Sequence, residues 1–241
     1  MPNELISFFL DPYQGVPVFN SLLELTAAIL GIASVFFARK ENILVYPTGL
    51  VSTGIYVYLL SQWALYGDLI INIYYTLMSI YGWYMWSKII DESQDHIKIT
   101  RMSGKDKLKT IGIFAFSSTF VVVVYRYYGV MPAELGLVDS AKHVVDKIST
   151  GHLQEFREIT PYLDTFTTGA AFAAMWLMAN KKIENWIFWI AVNIVSVPLY
   201  FVKGFGFTGV QYLIFLVLAI YGYIEWERRI RVQSEDIQKQ A

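Results

Sequence analysis

Trp186, Trp189, Asn193, Ser196 and Tyr200 follow one another at spacings of 3, 4, 3 and 4. On an α-helix, at roughly 100° per residue, that pattern confines all five to about 80° of arc, so two indoles, an amide, a hydroxyl and a phenol share one face. Asn72, Tyr75, Ser79, Gly82 and Trp86 repeat the spacing elsewhere in the chain. Aromatic faces stack on planar heterocycles and attract cationic rings, while amides, hydroxyls and phenols bond to hydroxyls and carboxamides. A phosphate would call for Arg, Lys or a helix N-terminus, and these faces carry no Lys or Arg. The ligand they suit is a neutral or monocationic, hydroxylated aromatic solute. Gln211, Thr53 and Gln62 offer further polar groups to complete such a site.

Seven long apolar runs must position these groups. They span approximately Ser21 to Phe37, Ile43 to Leu60, Leu69 to Ser87, Thr110 to Tyr128, Tyr162 to Ala179, Trp186 to Val202 and Phe207 to Trp226. About 20 helical residues cross ~30 Å of hydrocarbon, whereas barrel strands would alternate in segments of about 10. Hydrophobic residues make up 55% and charged residues 16% of the 241 positions, and the mean hydropathy is +0.42. The expectation is an all-α integral membrane protein. Polar side chains inside a bilayer turn toward the bundle interior or a watery cavity, so both faces point inward.

Several functions are excluded. The chain has no cysteine, so it has no disulfide, thiolate nucleophile or zinc-thiolate site, and its formal net charge of -1 gives no basic stripe for nucleic acid. His96, His143 and His152 all fall outside the apolar runs, which leaves no base for an intramembrane enzyme, and neither catalysis nor a cofactor or metal is expected. The last run contains no lysine for a retinal Schiff base.

Ile80-Tyr81-Gly82-x-x-x-Trp86 returns 140 positions later as Ile220-Tyr221-Gly222-x-x-x-Trp226, so the chain is read as a duplication. Three crossings leave the chain on the opposite face, and a parallel second copy needs one crossing in between. The predicted architecture is therefore 3+1+3, with two parallel three-helix repeats, as in SWEET-type carriers. Its parts are an external tail (1–20), the first repeat (21–87), a cytoplasmic linker with the fourth helix (88–128), an external loop (129–161), the second repeat (162–226) and a cytoplasmic tail (227–241). Amphipathic character around Ala133 to Ile148 predicts a helix in the external loop. Most Lys and Arg residues, including Arg39, Lys40, the group from Lys98 to Lys109, Lys181, Lys182 and Arg228 to Arg231, fall on one side. The positive-inside rule then places the N-terminus outside and the C-terminus in the cytoplasm. Weaker echoes pair Arg39–Asn42 with Lys181–Asn185 and Tyr56 with Tyr200. The glycines are read as close-approach points and the tryptophans as interface anchors. Pro47 and Pro198 are expected to interrupt the second and sixth spans as hinges for alternating access, with Gln62 and Trp86 at the gates. Glu24, Asp68, Asp164 and Arg126 all lie near span ends, which leaves no deep carboxylate for proton coupling and favours uniport.

The motif Trp186-x-x-Trp189-x-x-x-Asn193, with Asn72-x-x-Tyr75 leading to Tyr81-Gly82-Trp83, resembles the PnuC family of vitamin transporters over all seven spans, from about Ser21 to Arg228. The nicotinamide riboside members are the nearest. The resemblance implies a multi-pass protein of the bacterial inner membrane with one central site. It implies facilitated diffusion of nicotinamide riboside, made directional by a cytoplasmic nicotinamide riboside kinase. By the same resemblance Trp186, Trp189 and Asn193 are binding residues of the sixth span, and Asn72 and Tyr75 those of the third. Other branches carry thiamine or riboflavin, a SWEET-like sugar uniporter suits the same lining, and a homo-oligomer is compatible with all of these.

Overall fold

A computed structural model describes residues 14–62, 66–88, 98–131, 136–150, 158–203 and 206–240. Most of the expected N-terminal tail, much of the 88–109 linker and the start of the amphipathic segment at Ala133 lie outside them. The described residues form eight helices: α1 (Val18–Arg39), α2 (Val45–Gln62), α3 (Tyr66–Ser87), α4 (Gly104–Tyr127), α5 (Leu137–Thr150), α6 (Thr160–Ala179), α7 (Asn185–Lys203) and α8 (Gly206–Gln240). Seven coincide with the apolar runs, and α5 lies in the 129–161 segment between the fourth and fifth of them. By length and apolarity alone, α1, α4, α7 and α8 are able to cross a membrane. α6 is less apolar because its surroundings are protein. Its Gly169, Ala170, Ala171, Ala173 and Ala174 are buried where α3, α4 and α7 pack around it.

Two helix limits differ from the sequence expectation, for local reasons. α4 begins at Gly104, six residues before the apolar run, because Ser103 and Asp106 form a reciprocal capping box. Hydrogen bonds from Ser103, its backbone N–H foremost, hold the Asp106 carboxyl at about 2, below its ordinary 3.8. The folded value is depressed, so the stabilisation is present above pH 4 and is lost as pH falls toward 2. Ser103→Ala is expected to cost about 1 kcal/mol, read as a lower melting temperature at pH 7 and a smaller difference near pH 2. α8 passes the apolar limit at Trp226 and continues to Gln240. Good helix formers carry it onward, with Glu225–Arg229 and Glu227–Arg231 paired at i,i+4.

α2 packs between α1 and α3, and α7 between α6 and α8, while α4 rests on α6. Two further contacts join these groups, α1 with α8 and α3 with α6. The details recur at one fixed offset of 140. Trp86 Nε1 donates to the Met178 carbonyl at 3.2 Å, and Trp226 Nε1 to the Ala38 carbonyl at 3.1 Å. Tyr46 meets Trp86 edge-on at 5.1 Å and 89°, and Trp186 meets Trp226 at 5.6 Å and 89°. Glu41 and Lys181, in the loops after α1 and α6, both adopt positive φ, 57° and 48°. Where residue i of one half touches j of the other and j's counterpart touches i's, the halves are related by a two-fold operation.

This register corrects the weaker echoes. Arg39–Asn42 corresponds to 179–182, so Glu41 is the counterpart of Lys181, and Tyr56 corresponds to Ser196, not to Tyr200. The tryptophans are not lipid-facing anchors: Trp86 and Trp226 are buried and bonded across the halves. Pro47 is the third residue of α2, in the turn whose N–H groups have no helical acceptor, so it does not interrupt the helix. Pro198 does lie inside α7. A paired-proline hinge is therefore not present.

Candidate functional site

α7 carries most of the predicted face. Trp189 lies one turn into it, and Asn193 follows a turn later on the same side. Asn193 is only 3% exposed, and its amide bonds to no other described residue. An amide on a buried residue that makes no protein hydrogen bond can be offered to a ligand or a water. Ser196, a further turn along the same face, is also buried. Against this face comes α3 of the other half: the Tyr75 ring meets the Trp189 indole at 6.2 Å and 65°. Both rings pack on Ala170, Ala171 and Val192, together with Tyr212 of α8. The alanines matter because their small side chains leave space for the aromatic rings above them.

The neighbouring shell is also aromatic. Tyr74 stacks on Phe172 at 3.8 Å and donates to its carbonyl at 2.9 Å, fixing α3 to α6. Tyr200 and Tyr212 stack at 4.8 Å. Asp68 stands in the first turn of α3 and Asp164 near the start of α6, and Asp164 accepts a 3.5 Å hydrogen bond from Tyr125. Carboxylates close to an aromatic cluster favour a cationic solute over an anion.

The structure thus brings together Tyr75, Trp189, Asn193 and Ser196, with Tyr200 beside Tyr212. Asn72 stands one turn before Tyr75 on α3 and donates to the Asp68 carbonyl at 2.9 Å. Other predicted residues sit elsewhere. The Trp186 ring covers Gly222 and abuts Trp226; it is 1% exposed, and its N–H has no hydrogen-bond partner among the described residues. It occupies the first turn of α7 beside the middle of α8, in a cluster against which Trp189 and Tyr75 also pack. Thr53 is spoken for, accepting from Thr76 at 2.8 Å and donating to the Gly49 carbonyl at 3.0 Å. Gln211 lies over Gly31 at the contact of α1 with α8, the two-fold counterpart of the α3–α6 contact. Gln62 ends α2 and is exposed.

Tyr212, Tyr74 and Phe172 were not singled out by the sequence reading. The repeat register points to the first of them, because Tyr212 is the counterpart of Asn72. The same register makes the site one-sided: the position equivalent to Trp189 is Gly49, which Ser34 and Ser79 cover. A two-fold frame with an indole on only one side suits a single asymmetric solute.

The family described as nicotinamide mononucleotide transporter matches residues 21–228. The chain belongs to this family. Among its relatives, a nicotinamide riboside transporter PnuC of Neisseria mucosa is 28% identical over 94% of this chain and 80% of its own length. One of Escherichia coli K12 is 23% identical over 86% of this chain and 85% of its own length. A riboflavin/roseoflavin transporter, RibM, of Streptomyces davaonensis is 22% identical over 66% of this chain and 63% of its own length. The crystal structure of a vitamin B3 transporter PnuC shares the fold, with a TM-score of 0.61 at 24% identity over 94% of this chain and 90% of that one. Membership of this family and the apolar helices make the chain a multi-pass membrane transporter of a small molecule.

Proposed function

We propose that this chain carries nicotinamide riboside across the bacterial cytoplasmic membrane. The observation that carries the reading is the composition of the cluster around Trp189 and Asn193. Tyr75, Trp189, Asn193, Ser196, Tyr200, Tyr212 and the adjacent Asn72 are all uncharged, and the carboxylate of Asp68 stands one turn before Asn72 on α3. A pyridinium ring linked to a ribose asks for aromatic faces, hydrogen-bonding groups and a negative approach. The mononucleotide in the family's description would add a phosphate, which needs a cation or a helix N-terminus that these residues do not provide. Trp189 and Tyr75 would take the ring, Asn193 and Asn72 the carboxamide and ribose hydroxyls, and Trp186 would hold the base of α7.

The arrangement that serves this function is a 3+1+3 bundle. α1–α3 and α6–α8 form two parallel repeats, and α4 supplies the extra crossing; the reciprocal contacts at the 140-residue offset support it. The N-terminus lies outside and the C-terminus in the cytoplasm. Transport is uniport by alternating access, with Gln62 at the external mouth, Trp86 at the cytoplasmic gate and Pro198 bending α7. Intracellular phosphorylation of the riboside makes the flux directional. Riboflavin is the second reading, favoured by the likeness to RibM.

In proteoliposomes, labelled nicotinamide riboside is expected to equilibrate down its gradient at a rate unaffected by a pH gradient. Unlabelled riboside should compete, and the mononucleotide and glucose should not. Competition by riboflavin but not by the riboside would transfer the assignment to the second reading, and uphill accumulation under a pH gradient would end the uniport model.

A further inference from the structure

On the two-fold axis, at the end taken above as cytoplasmic, the halves are joined by a layer of opposed groups. The indoles of Trp86 and Trp226 stand 6.2 Å apart, each donating to a carbonyl of the opposite half. Lys181 Nζ lies 2.7 Å from Glu41 Oε1 and 4.6 Å from the centre of the Trp86 ring. Arg229 Nη1 takes the other Glu41 oxygen at 3.0 Å. The Lys181 and Glu41 side chains are 6% and 16% exposed, unlike the mostly exposed pair Lys142–Asp139. Both ends of the pair occupy the same position of their own half, and each of these bonds passes from one half to the other.

We propose that the Glu41–Lys181 ion pair is the latch of the cytoplasmic gate, holding the two halves together beneath the site until the inward-facing state forms. This rests on the alternating-access reading given above. The physical logic lies in what each kind of contact loses when it is pulled apart. Burying an ion pair roughly breaks even, because desolvation offsets the Coulomb attraction. When water enters between the halves, each charge recovers its hydration, as do the indole N–H groups and the carbonyls of Ala38 and Met178. An apolar plug of the same area would instead be exposed at full hydrophobic cost. A latch of charges and hydrogen bonds therefore closes the passage and still leaves opening accessible. Pulling the halves apart at this end must separate all of them together, since every bond in the layer crosses the axis.

The test uses the absence of cysteine from the chain. Ser196→Cys places one thiol beside Asn193, and its reaction with an impermeant methanethiosulfonate is followed from either side of oriented proteoliposomes. Arg229→Gln is carried in every arm, so that an exchanged lysine meets no second cation. Glu41→Gln and Lys181→Met are each expected to raise labelling from the cytoplasmic side on the order of tenfold. The charge exchange Glu41→Lys with Lys181→Glu should return it toward the parent rate at an unchanged melting temperature. Unchanged labelling in both single variants would overturn the latch. So would an exchange variant that labels as fast as the singles, because only a general loosening of the bundle would then remain. If nicotinamide riboside fails to protect the thiol while the latch variants respond as described, the substrate assignment fails and the latch stands.

Discussion

Asn193→Leu is expected to weaken nicotinamide riboside binding on the order of 100-fold in a protein that still folds. The side chain is buried, yet its amide bonds to no other described residue, so the folded protein loses no internal hydrogen bond when the amide goes. Leucine keeps the branched arrangement of side-chain heavy atoms but is bulkier, so the extra volume has to be taken up by the space around the amide. The loss falls on the bound solute, whose donors and acceptors would be desolvated without partners. Two such groups cost about 3 kcal/mol together, a loss on the order of 100-fold in affinity. Calorimetric titration in detergent measures it, and a melting curve run beside it confirms the fold. Parent-like affinity in the folded variant would remove Asn193 from the site.

The second large effect concerns stability, and it should appear twice. A Cβ at Gly82 would collide with Cε1, Cζ and the hydroxyl of Tyr46, and one at Gly222 would lie 2.7 Å from three atoms of the Trp186 indole. Neither aromatic can retreat, because each is held edge-on by the tryptophan of its own half. Gly82→Val and Gly222→Val are each expected to destabilise by about 3 kcal/mol or more through overpacking, a drop in melting temperature on the order of 10 °C. Gly54→Ala is the control: nothing lies within 4 Å of that position, and alanine in a helix should be neutral or mildly stabilising. A large effect at one glycine and none at its counterpart would show that the two contacts are not energetically equivalent.

Much of this was legible in the residues. Continuous apolar length located the helices, since only burial or lipid tolerates such runs, and the repeated Ile-Tyr-Gly-x-x-x-Trp supplied the offset. The offset survives because a glycine contact and a tryptophan hydrogen bond constrain the backbone tightly. Elsewhere the halves preserve shape and not identity. Tyr46 and Trp186 both cover a glycine with a flat ring, yet an alignment by residue type pairs Tyr56 with Tyr200 and misses them. The start of α4 was carried by a polar capping box, and the continuation of α8 past Trp226 by charged helix formers, neither of which an apolar scan registers. Trp186 has neighbours that its spacing does not announce. Helical spacing says which residues share a face, but not what that face meets along the helix: Trp186 covers Gly222 and abuts Trp226, while Trp189 meets Tyr75.

Glu41 and Lys181 raise a question of ancestry. In an assembly of two identical chains, a residue on the dyad meets its own copy, so a glutamate there would face a glutamate and a lysine a lysine. Attraction between like positions becomes possible only after the two copies are encoded separately and are free to mutate independently. The salt bridge therefore had to arise after the two copies diverged, and a symmetric pair of identical half-length subunits would set two negative or two positive charges against each other at the joint.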